Sequence, residues 1–278
     1  IRATEARAAA LACGIPPEHV LINATHTHHA PGTVRMNSAG ADPVFLQRLG
    51  QAIVSSTQLA NERAANGQSR FEFYLGEEST VGQNSRTLLS DGRIAWIGRR
   101  DDAVRPTGPI DPELPVLVFR GPDSRVRAVL YNHSCHTIGA RRPRARSPGF
   151  YGLAAQELEA EVGAPICFLE GASGSTHNVG IMGRVPFEDA VDRIQQVLRD
   201  GLQKAAPRAV DRLAAIKRSF AYKMRTFDEA AEEAAVVAYL TARLDKADEV
   251  ERHRAAFADS RRVLASQQGQ KRQTWIQA

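Results

Sequence analysis

Apolar side chains recur at every third or fourth position in several stretches of the chain, and this spacing predicts amphipathic helices. The clearest stretch is Phe187–Lys204, which places Ile194 and Leu198 on one face. Asp42 followed by Pro43 is a strong helix start, because the carboxylate caps the first turn and proline suits its first position. The predicted helices are Arg2–Ala12, Pro43 to about Asn66, Tyr151–Val162, Phe187–Lys204, Phe227–Leu244 and Ala247–Leu264.

Short apolar or alternating runs lie between these helices and predict β-strands. Two of them, Val116–Arg120 and Val126–Tyr131, flank a Gly-Pro-Asp turn and predict a hairpin. Strands that alternate with helices favour an α/β fold, with a layered β-sheet core flanked by helices and a C-terminal helical hairpin. The predicted strands are His19–Ala24, Phe71–Leu75, Arg93–Ile97, Val116–Arg120, Val126–Tyr131, Pro165–Leu169 and Leu213–Met224.

No internal repeat or low-complexity linker divides the sequence, so residues 1–278 are expected to form a single domain. The chain opens on Ile1 and closes on Thr274–Ala278, which looks like the beginning of a strand. We therefore expect the sequence to be a piece of a longer protein that is truncated at both ends.

Composition narrows the classes of protein that the sequence can represent. Apolar residues make up 43% and charged residues 24%, as in a globular protein and unlike a disordered segment. The net charge of +5 suggests nucleic acid as a partner, but only 6% of residues are aromatic and able to stack on bases. Nucleic-acid binding is therefore the least favoured function. Three cysteines without CxxC spacing indicate neither a disulfide framework nor a cysteine zinc knuckle.

The candidate chemistry lies in two histidine clusters, each of which follows a predicted apolar strand. His26, His28 and His29 form the first cluster, and His133 and His136 belong to the second. In an extended chain alternate residues face the same way, so the side chains at 26 and 28 point together while the one at 29 points across. Backbone groups could satisfy such loop histidines, but two clusters at strand ends favour a zinc-type site.

Three other segments could contact a ligand. Asn84–Arg86 lies in a glycine-flanked loop, where the arginine could bind an oxyanion or carboxylate or could simply lie at the surface. The small residues of 169–178 would let backbone N–H groups approach a ligand, or they form an ordinary turn. The basic run Arg141–Arg146 is a solvated loop or a surface that attracts an anionic substrate or an anionic membrane.

Four motifs occur together and in a fixed order along the first 180 or so residues. They are T-H-T-H-x-x-P-G at Thr25–Gly32, N-x-R at Asn84–Arg86, N-x-x-C-H-T at Asn132–Thr137 and F-L-E-G-A-S-G-S at Phe168–Ser175. Each motif alone is weak, but the ordered set is specific. In this set the chain resembles the neutral (neutral/alkaline, non-lysosomal) ceramidase family.

The resemblance implies zinc-dependent hydrolysis of an N-acyl amide by metal-activated water, with a lipid-like acyl substrate such as ceramide. It implies that His26 and His136 bind zinc, that His28 lies beside the metal and acts in catalysis, and that Arg86 contacts substrate and stabilises charge. It implies a secreted or periplasmic location. The further candidates for substrate binding are His29, Asn84, Ser173, Ser175 and His177.

Departures from the family pattern leave a second hypothesis open. The resemblance implies a glutamate and a tyrosine that complete the zinc shell from a later segment, and no matching stretch follows here. It implies a serine after the F-x-Q of the fourth motif, where this chain has Gly171, and an acidic residue near Ser147–Gly149. The alternative is therefore a non-catalytic relative that keeps the fold and binds a ligand or partner.

Overall fold

Helices and strands alternate along most of the chain. The computed structural model describes residues 3–16, 19–34, 40–64, 67–97, 100–180, 182–212, 214, 216–242, 244–256 and 258–277. Within them the helices are α1 (Ala3–Ala12), α2 (Pro43–Ala64), α3 (Gly149–Val162), α4 (Phe187–Lys204), α5 (Glu229–Thr241), α6 (Ala247–Ala256) and α7 (Ala258–Ser266). The longer strands are β1 (Arg70–Glu77), β3 (Arg86–Leu89), β4 (Ile94–Trp96), β5 (Ala103–Pro106), β6 (Glu113–Arg120), β7 (Val126–His133), β8 (Ile166–Glu170), β13 (Lys217–Lys223) and β14 (Lys271–Gln277). Two-residue strands are β2 (Gln83–Asn84), β9 (Thr176–His177), β10 (Val179–Gly180), β11 (Gly183–Arg184) and β12 (Ala206–Pro207).

A five-stranded mixed sheet in the order β12-β1-β6-β7-β8 forms the largest layer. Its neighbours pair antiparallel except β7 and β8, which pair parallel, so their carboxyl ends lie at the same edge. Helix α3 joins these two strands, and α4 packs beside it over the same sheet. The segment after β7, with His136, and the segment after β8, with His177, therefore meet at one edge of the sheet.

The core lies between this sheet and helices α3 and α4. Alternate strand residues such as Val116, Val118 and Tyr131 are fully buried there, together with Phe150 and Leu158 from α3. This layering confirms the predicted α/β class with a sheet core flanked by helices. The part of the chain that the structure describes contains no helix both long and apolar enough to span a bilayer.

Most of the predicted elements are confirmed. Phe187–Lys204 is helical over the predicted range, and the Asp42 carboxylate accepts hydrogen bonds from the N–H groups of Val44 and Phe45 at the start of α2. The hairpin of β6 and β7 forms as predicted, and Gly163 caps α3 in the left-handed conformation. The predicted end residues Arg2, Asn66, Leu213 and Ala278 lie outside the described residues.

The predicted strand His19–Ala24 is wrong. Residues 19–24 form no β-strand in the described part of the chain, and Leu21 is 61% exposed. Instead the Asn23 side chain accepts a hydrogen bond from the Glu170 N–H and donates one to the Glu170 carbonyl, at 2.9 and 3.1 Å. One amide side chain thus occupies the edge of β8 where a whole strand was predicted.

The described chain groups into two compact units. The first comprises Ile1–Leu21, Pro31–Gln58 and Ala214–Ala278, and the second comprises Ile22–Ala30 and Leu59–Leu213. In the first unit β13 pairs with β14, and α5 packs against α6 as the predicted C-terminal hairpin. The second unit holds the five-stranded sheet and every residue of the candidate site. Whether residues 1–278 fold as a single domain stays a prediction.

Candidate metal centre

Three histidine rings converge at the sheet edge formed by the ends of β7 and β8. The ring centroids of His26 and His136 are 4.4 Å apart, those of His26 and His28 are 5.0 Å apart, and those of His28 and His136 are 5.5 Å apart. One nitrogen from each ring lies within 4.8 Å of the others. Two stretches more than a hundred residues apart thus bring their imidazoles together.

The orientation of His136 is fixed by a backbone carbonyl. Its Nδ1 is 2.7 Å from the carbonyl oxygen of Ser173, and the backbone N–H of His136 donates to the carbonyl oxygen of Thr176. A carbonyl only accepts, so Nδ1 carries the proton and Nε2 keeps a free lone pair. Metal-binding histidines use the same kind of outer hydrogen bond. Ser173 therefore contributes its carbonyl to the site, while its predicted contact with substrate stays a prediction.

The first cluster lies in an irregular loop and not at the end of a strand. His26 has a φ of 55°, which is uncommon for a residue other than glycine. Strain of this kind is concentrated at functional sites. Thr27 Oγ1 donates to the carbonyl oxygen of Ser147 at 2.8 Å, which ties the loop to the segment after the second cluster.

His29 is not part of the group formed by the three converging rings. Its Nε2 accepts a hydrogen bond from the Gly139 N–H at 3.2 Å, and its carbonyl oxygen accepts one from the Ser147 N–H at 3.0 Å. Both bonds fasten the ends of the segment that carries Arg141–Arg146. His29 therefore has a structural role in holding this segment, and its role in binding substrate stays a prediction.

His133 belongs to the core. It is 1% exposed, and its Nε2 lies 3.0 Å from the Glu78 carbonyl oxygen, to which it must donate. Its Nδ1 therefore accepts from the Tyr151 hydroxyl at 2.6 Å. Both nitrogens are used, so of the second cluster only His136 has a nitrogen to offer a metal.

Burial and mutual repulsion lower the pKa of two of the converging imidazoles, those of His26 and His28. Desolvation, followed by the proximity of His136, lowers the pKa of His26 below its ordinary value. The pKa of His28 is lowered by desolvation and then by His26, His136 and His29. A neutral imidazole has the lone pair that a metal requires, and so protons compete little with a cation at neutral pH.

His177 lies against the converging rings and is 1% exposed. Its ring stacks on His136 at 3.9 Å between centroids, and its Nδ1 is 2.9 Å from the Ser85 hydroxyl. Its Nε2 is buried and has no hydrogen-bond partner among the described residues. Desolvation and then His136, His28, Arg86 and His26 lower the pKa of His177 to about 4. Ser85 was absent from the predicted site, because the motif treats this position as variable.

The N-x-R loop is held to the second cluster by a short strand pair. Strand β2 pairs with β9, so Asn84 lies opposite Thr176. The Asn84 side chain accepts from the Arg86 N–H and donates to the Pro109 carbonyl oxygen, which uses the amide to shape the loop. Arg86 is exposed, and its Nε donates to the Ser175 hydroxyl at 2.9 Å. The other guanidinium N–H groups have no carboxylate within ion-pair distance among the described residues.

Close packing around position 171 favours glycine there, and the sequence alone could not show this. A Cβ at this position would lie 3.0 Å from the His133 carbonyl oxygen and closer still to the Ser134 hydroxyl. That hydroxyl accepts from the Ala172 N–H and donates to Asp111. A side chain at position 171 therefore requires the Ser134 hydroxyl to move and the His133 carbonyl oxygen to shift slightly.

Glu170 places a buried carboxyl group at the end of β8. Both of its carboxylate oxygens are buried. Desolvation raises the pKa of Glu170 from its ordinary value to about 7, and the nearby Ser173 hydroxyl offsets part of this rise. The resemblance implies a neutral glutamine here, so the acidic side chain is a feature of this sequence.

Comparisons with known proteins show which solved structures share this fold. No protein-family model matches the chain, and no curated protein matches it. A solved ceramidase complexed with C2 matches at a TM-score of 0.60 and 20% identity, over 78% of this chain and 36% of that chain. The neutral ceramidase from Pseudomonas aeruginosa matches at a TM-score of 0.52 and 19% identity, over 80% of this chain and 38% of that chain. At such identities the likeness concerns the fold alone, and the chain spans little more than a third of either protein.

Proposed function

Starting from this ceramidase-like fold, we propose that the chain carries the zinc centre of a hydrolase that cleaves N-acyl amide bonds. The observation that carries the proposal is the convergence of His26, His28 and His136, whose ligand nitrogens lie within 4.8 Å of one another. Catalytic zinc sites use about three protein ligands, and a shared site for three imidazoles matches that number.

The donor set fits zinc. Zinc holds histidine nitrogens at about 2.0–2.1 Å, so small side-chain rotations suffice to bring three nitrogens onto one ion. The Ser173 carbonyl fixes the tautomer of His136, which leaves Nε2 free for the ion. This assignment includes His28 among the ligands, where the sequence resemblance had implied a place beside the metal. When bound, zinc would polarise the scissile carbonyl and activate water for attack.

Arg86 is the group best placed to stabilise charge on the substrate. The bond from its Nε to Ser175 orients the guanidinium, and its remaining N–H donors are free to bind a developing oxyanion. The same charge contributes to the lowered pKa of His177, which places the guanidinium near the stacked imidazoles. Arg86 therefore binds and orients the acyl carbonyl in this proposal.

The proposed substrate class is a lipid-like N-acyl amide such as ceramide. One neighbour of the same fold is a ceramidase complexed with C2, which favours an acyl substrate in the corresponding place here. The N-x-R loop and the two histidine segments that form the candidate site are the segments that carry the sequence resemblance.

An anionic membrane surface is the proposed peripheral partner. Arg141 is neutralised by Glu157 and Glu188. The three following arginines of the loop are exposed and, among the described residues, have no acidic partner within ion-pair distance: Arg142, Arg144 and Arg146. Because His29 holds both ends of this segment, the three cations lie at the rim of the histidine site. Lipid headgroups of negative charge would be attracted there.

The non-catalytic alternative rests partly on Gly171. This glycine lies close to Ser134 and to the His133 carbonyl oxygen, a packing role that is independent of catalysis. The outcome of a turnover experiment would still distinguish the two hypotheses.

Turnover of a panel of N-acyl amides and esters by the zinc-loaded chain tests the proposal. We expect hydrolysis that a chelator abolishes, that His136→Ala abolishes, and that Arg86→Ala reduces by about a hundredfold. His253→Ala, which removes an exposed histidine from α6, is the matched control and should keep full activity. An absence of turnover in the zinc-loaded chain, or turnover that survives the chelator, would contradict the proposal.

A further inference from the structure

A small sheet beside the metal centre presents apolar side chains to solvent. Its three strands lie in the order β4-β3-β5, with Arg86 opposite Trp96 and Leu88 opposite Ile94. Directly opposed residues of antiparallel strands lie on the same face. Thr87, on the other face, is 2% exposed, whereas Trp96 is 58% and Ile94 60% exposed. On β3 and β4 the outer face is thus an apolar strip with Arg86 at one end, and the exposed Arg105 of β5, opposite Leu88, borders it.

The strip is continuous with the histidine site. The ring of Trp96 meets His177 edge to face, at 5.9 Å between centroids, and His177 stacks on His136. A chain of ring contacts therefore leads from the exposed strip to a proposed zinc ligand. Arg86 belongs to both, because it lies opposite Trp96 and donates to Ser175.

Backbone strain fixes the position of Trp96. The next residue, Ile97, has a φ of 57°, an outlier for a β-branched side chain. Its N–H donates to the Ser85 carbonyl oxygen at 2.8 Å, and the Ser85 hydroxyl is the partner of His177. The hydrogen bond of Ile97 thus holds the end of β4 beside Ser85 and His177. Strain that persists in a fold points to a functional constraint.

We propose that the outer face of β3 and β4, formed by Leu88, Ile94 and Trp96, is the subsite for the acyl chain of the substrate. The inference rests on the proposed function, which it deepens by assigning the chain-binding surface. An extended hydrocarbon lying along the strip would cover exposed apolar area while its carbonyl reaches Arg86 and the converging imidazoles. The polar end of the strip thus matches the polar end of an acyl amide.

Fluorescence quenching tests this contact without requiring turnover. The chain has two tryptophans, so Trp275→Phe leaves Trp96 as the sole reporter and Trp96→Phe leaves Trp275 as the matched control. The probe is a neutral dodecanoyl amide that carries bromine, a short-range quencher, near the middle of its acyl chain, and the control probe is the same amide without bromine. We expect the brominated amide to quench Trp96, the bromine-free amide to leave it bright, and Trp275 to be insensitive to both. Equal quenching of both tryptophans, or of neither, would overturn the inference.

A kinetic series separates failure of the subsite from failure of the proposed function. In the active chain, kcat/KM should rise with acyl length from acetyl to dodecanoyl. Trp96→Ala should lower the ratio of the dodecanoyl value to the acetyl value, both measured on the same variant, by about tenfold. Leu75→Ala, which truncates an apolar side chain that is 49% exposed on β1, should change neither. Hydrolysis with no dependence on chain length would overturn the subsite alone. Quenching without hydrolysis would overturn the proposed function and leave the subsite standing.

Discussion

At the scale of single residues, hydrogen-bond partners decide which imidazoles can bind a metal. His133 and His136 lie three positions apart. Both ring nitrogens of His133 are hydrogen-bonded, to Glu78 and Tyr151, whereas His136 keeps a free Nε2. The partners that make this difference come from distant parts of the chain. Sequence could therefore predict that histidines gather at this edge, but not which nitrogen of which ring would be available.

Position 171 provides a test of local packing. Gly171→Ser should lower the free energy of unfolding by about 1–3 kcal/mol, because the added side chain meets Ser134 and the His133 carbonyl oxygen. Gly174→Ser in the same loop is the control, since a Cβ there meets nothing within 4 Å. Chemical denaturation of both variants measures the difference. Equal stability of the two would show that position 171 has room for a side chain.

Glu170 predicts a pH-dependent stability. Its pKa is raised to about 7 from an ordinary value of 4.5, so between these pH values the folded chain holds more protons than the unfolded chain. The free energy of unfolding contributed by this group therefore falls as pH rises through that window. Glu170→Gln cannot ionise, so it should be more stable than the wild type above pH 7 and equal to it near pH 4.5.

The expected gain of Glu170→Gln above pH 7 is about 1–3 kcal/mol, since each unit of pKa shift corresponds to about 1.4 kcal/mol. Thermal unfolding across the pH range measures it. Glu62→Gln, on the exposed side of α2, is the control and should show no such trend. A gain that is constant with pH would mean that ionisation of Glu170 is not its cause.

At the scale of elements, the connection of the first histidine loop to the sheet depends on one side chain. Asn23→Ala removes both hydrogen bonds to the Glu170 backbone at the edge of β8. Each bond contributes about 1 kcal/mol or less at an exposed edge. We expect zinc affinity to fall several-fold while the melting temperature changes little, measured by calorimetric titration. Asn61→Ala on α2 should leave the affinity unchanged.

The arginine segment predicts binding to anionic vesicles. Each basic residue near an anionic surface contributes about 1 kcal/mol, so exchange of three arginines for glutamine should weaken binding to phosphatidylserine vesicles roughly a hundredfold. Co-sedimentation with vesicles measures the loss, which should shrink as salt is added. The exchanged residues are Arg142, Arg144 and Arg146.

A matched exchange of arginines elsewhere is the control for the vesicle experiment. Arg48, Arg63 and Arg208 are exposed, and their replacement changes the net charge by the same amount. Vesicle binding should be weakened much less by this exchange. Equal loss in the two triple variants would attribute the attraction to the overall charge of +5 and not to the segment at the rim of the site.

Elements with strong local signals were predictable. Helix α4 has a regular apolar period and α2 has a capping aspartate before proline, and both form as predicted. The structure of residues 19–24 was not predictable, because their apolar side chains suggested a strand. Instead the Asn23 side chain makes the hydrogen bonds to the backbone of β8. The apolar strip at Trp96 escaped sequence analysis as well, since its link to the site passes through His177.

At the scale of the whole molecule, cation binding should be coupled to stability. A metal that binds the folded state and not the unfolded state raises the free energy of unfolding by about 2.7 kcal/mol at a hundredfold excess over Kd. Because the pKa values of His26 and His28 are lowered, the affinity should vary little above neutral pH and fall on acidification, when protons compete for the imidazoles.

The number of zinc ions bound per chain, measured by elemental mass spectrometry after removal of free metal, tests the central claim most directly. The account predicts one ion per wild-type chain, loss of that ion in His26→Ala and in His136→Ala, and its retention in His253→Ala. Loss of the ion in His28→Ala would assign the third ligand as well, whereas retention there would place His28 beside the metal. Equal zinc content in the wild type, His26→Ala and His136→Ala would contradict the account.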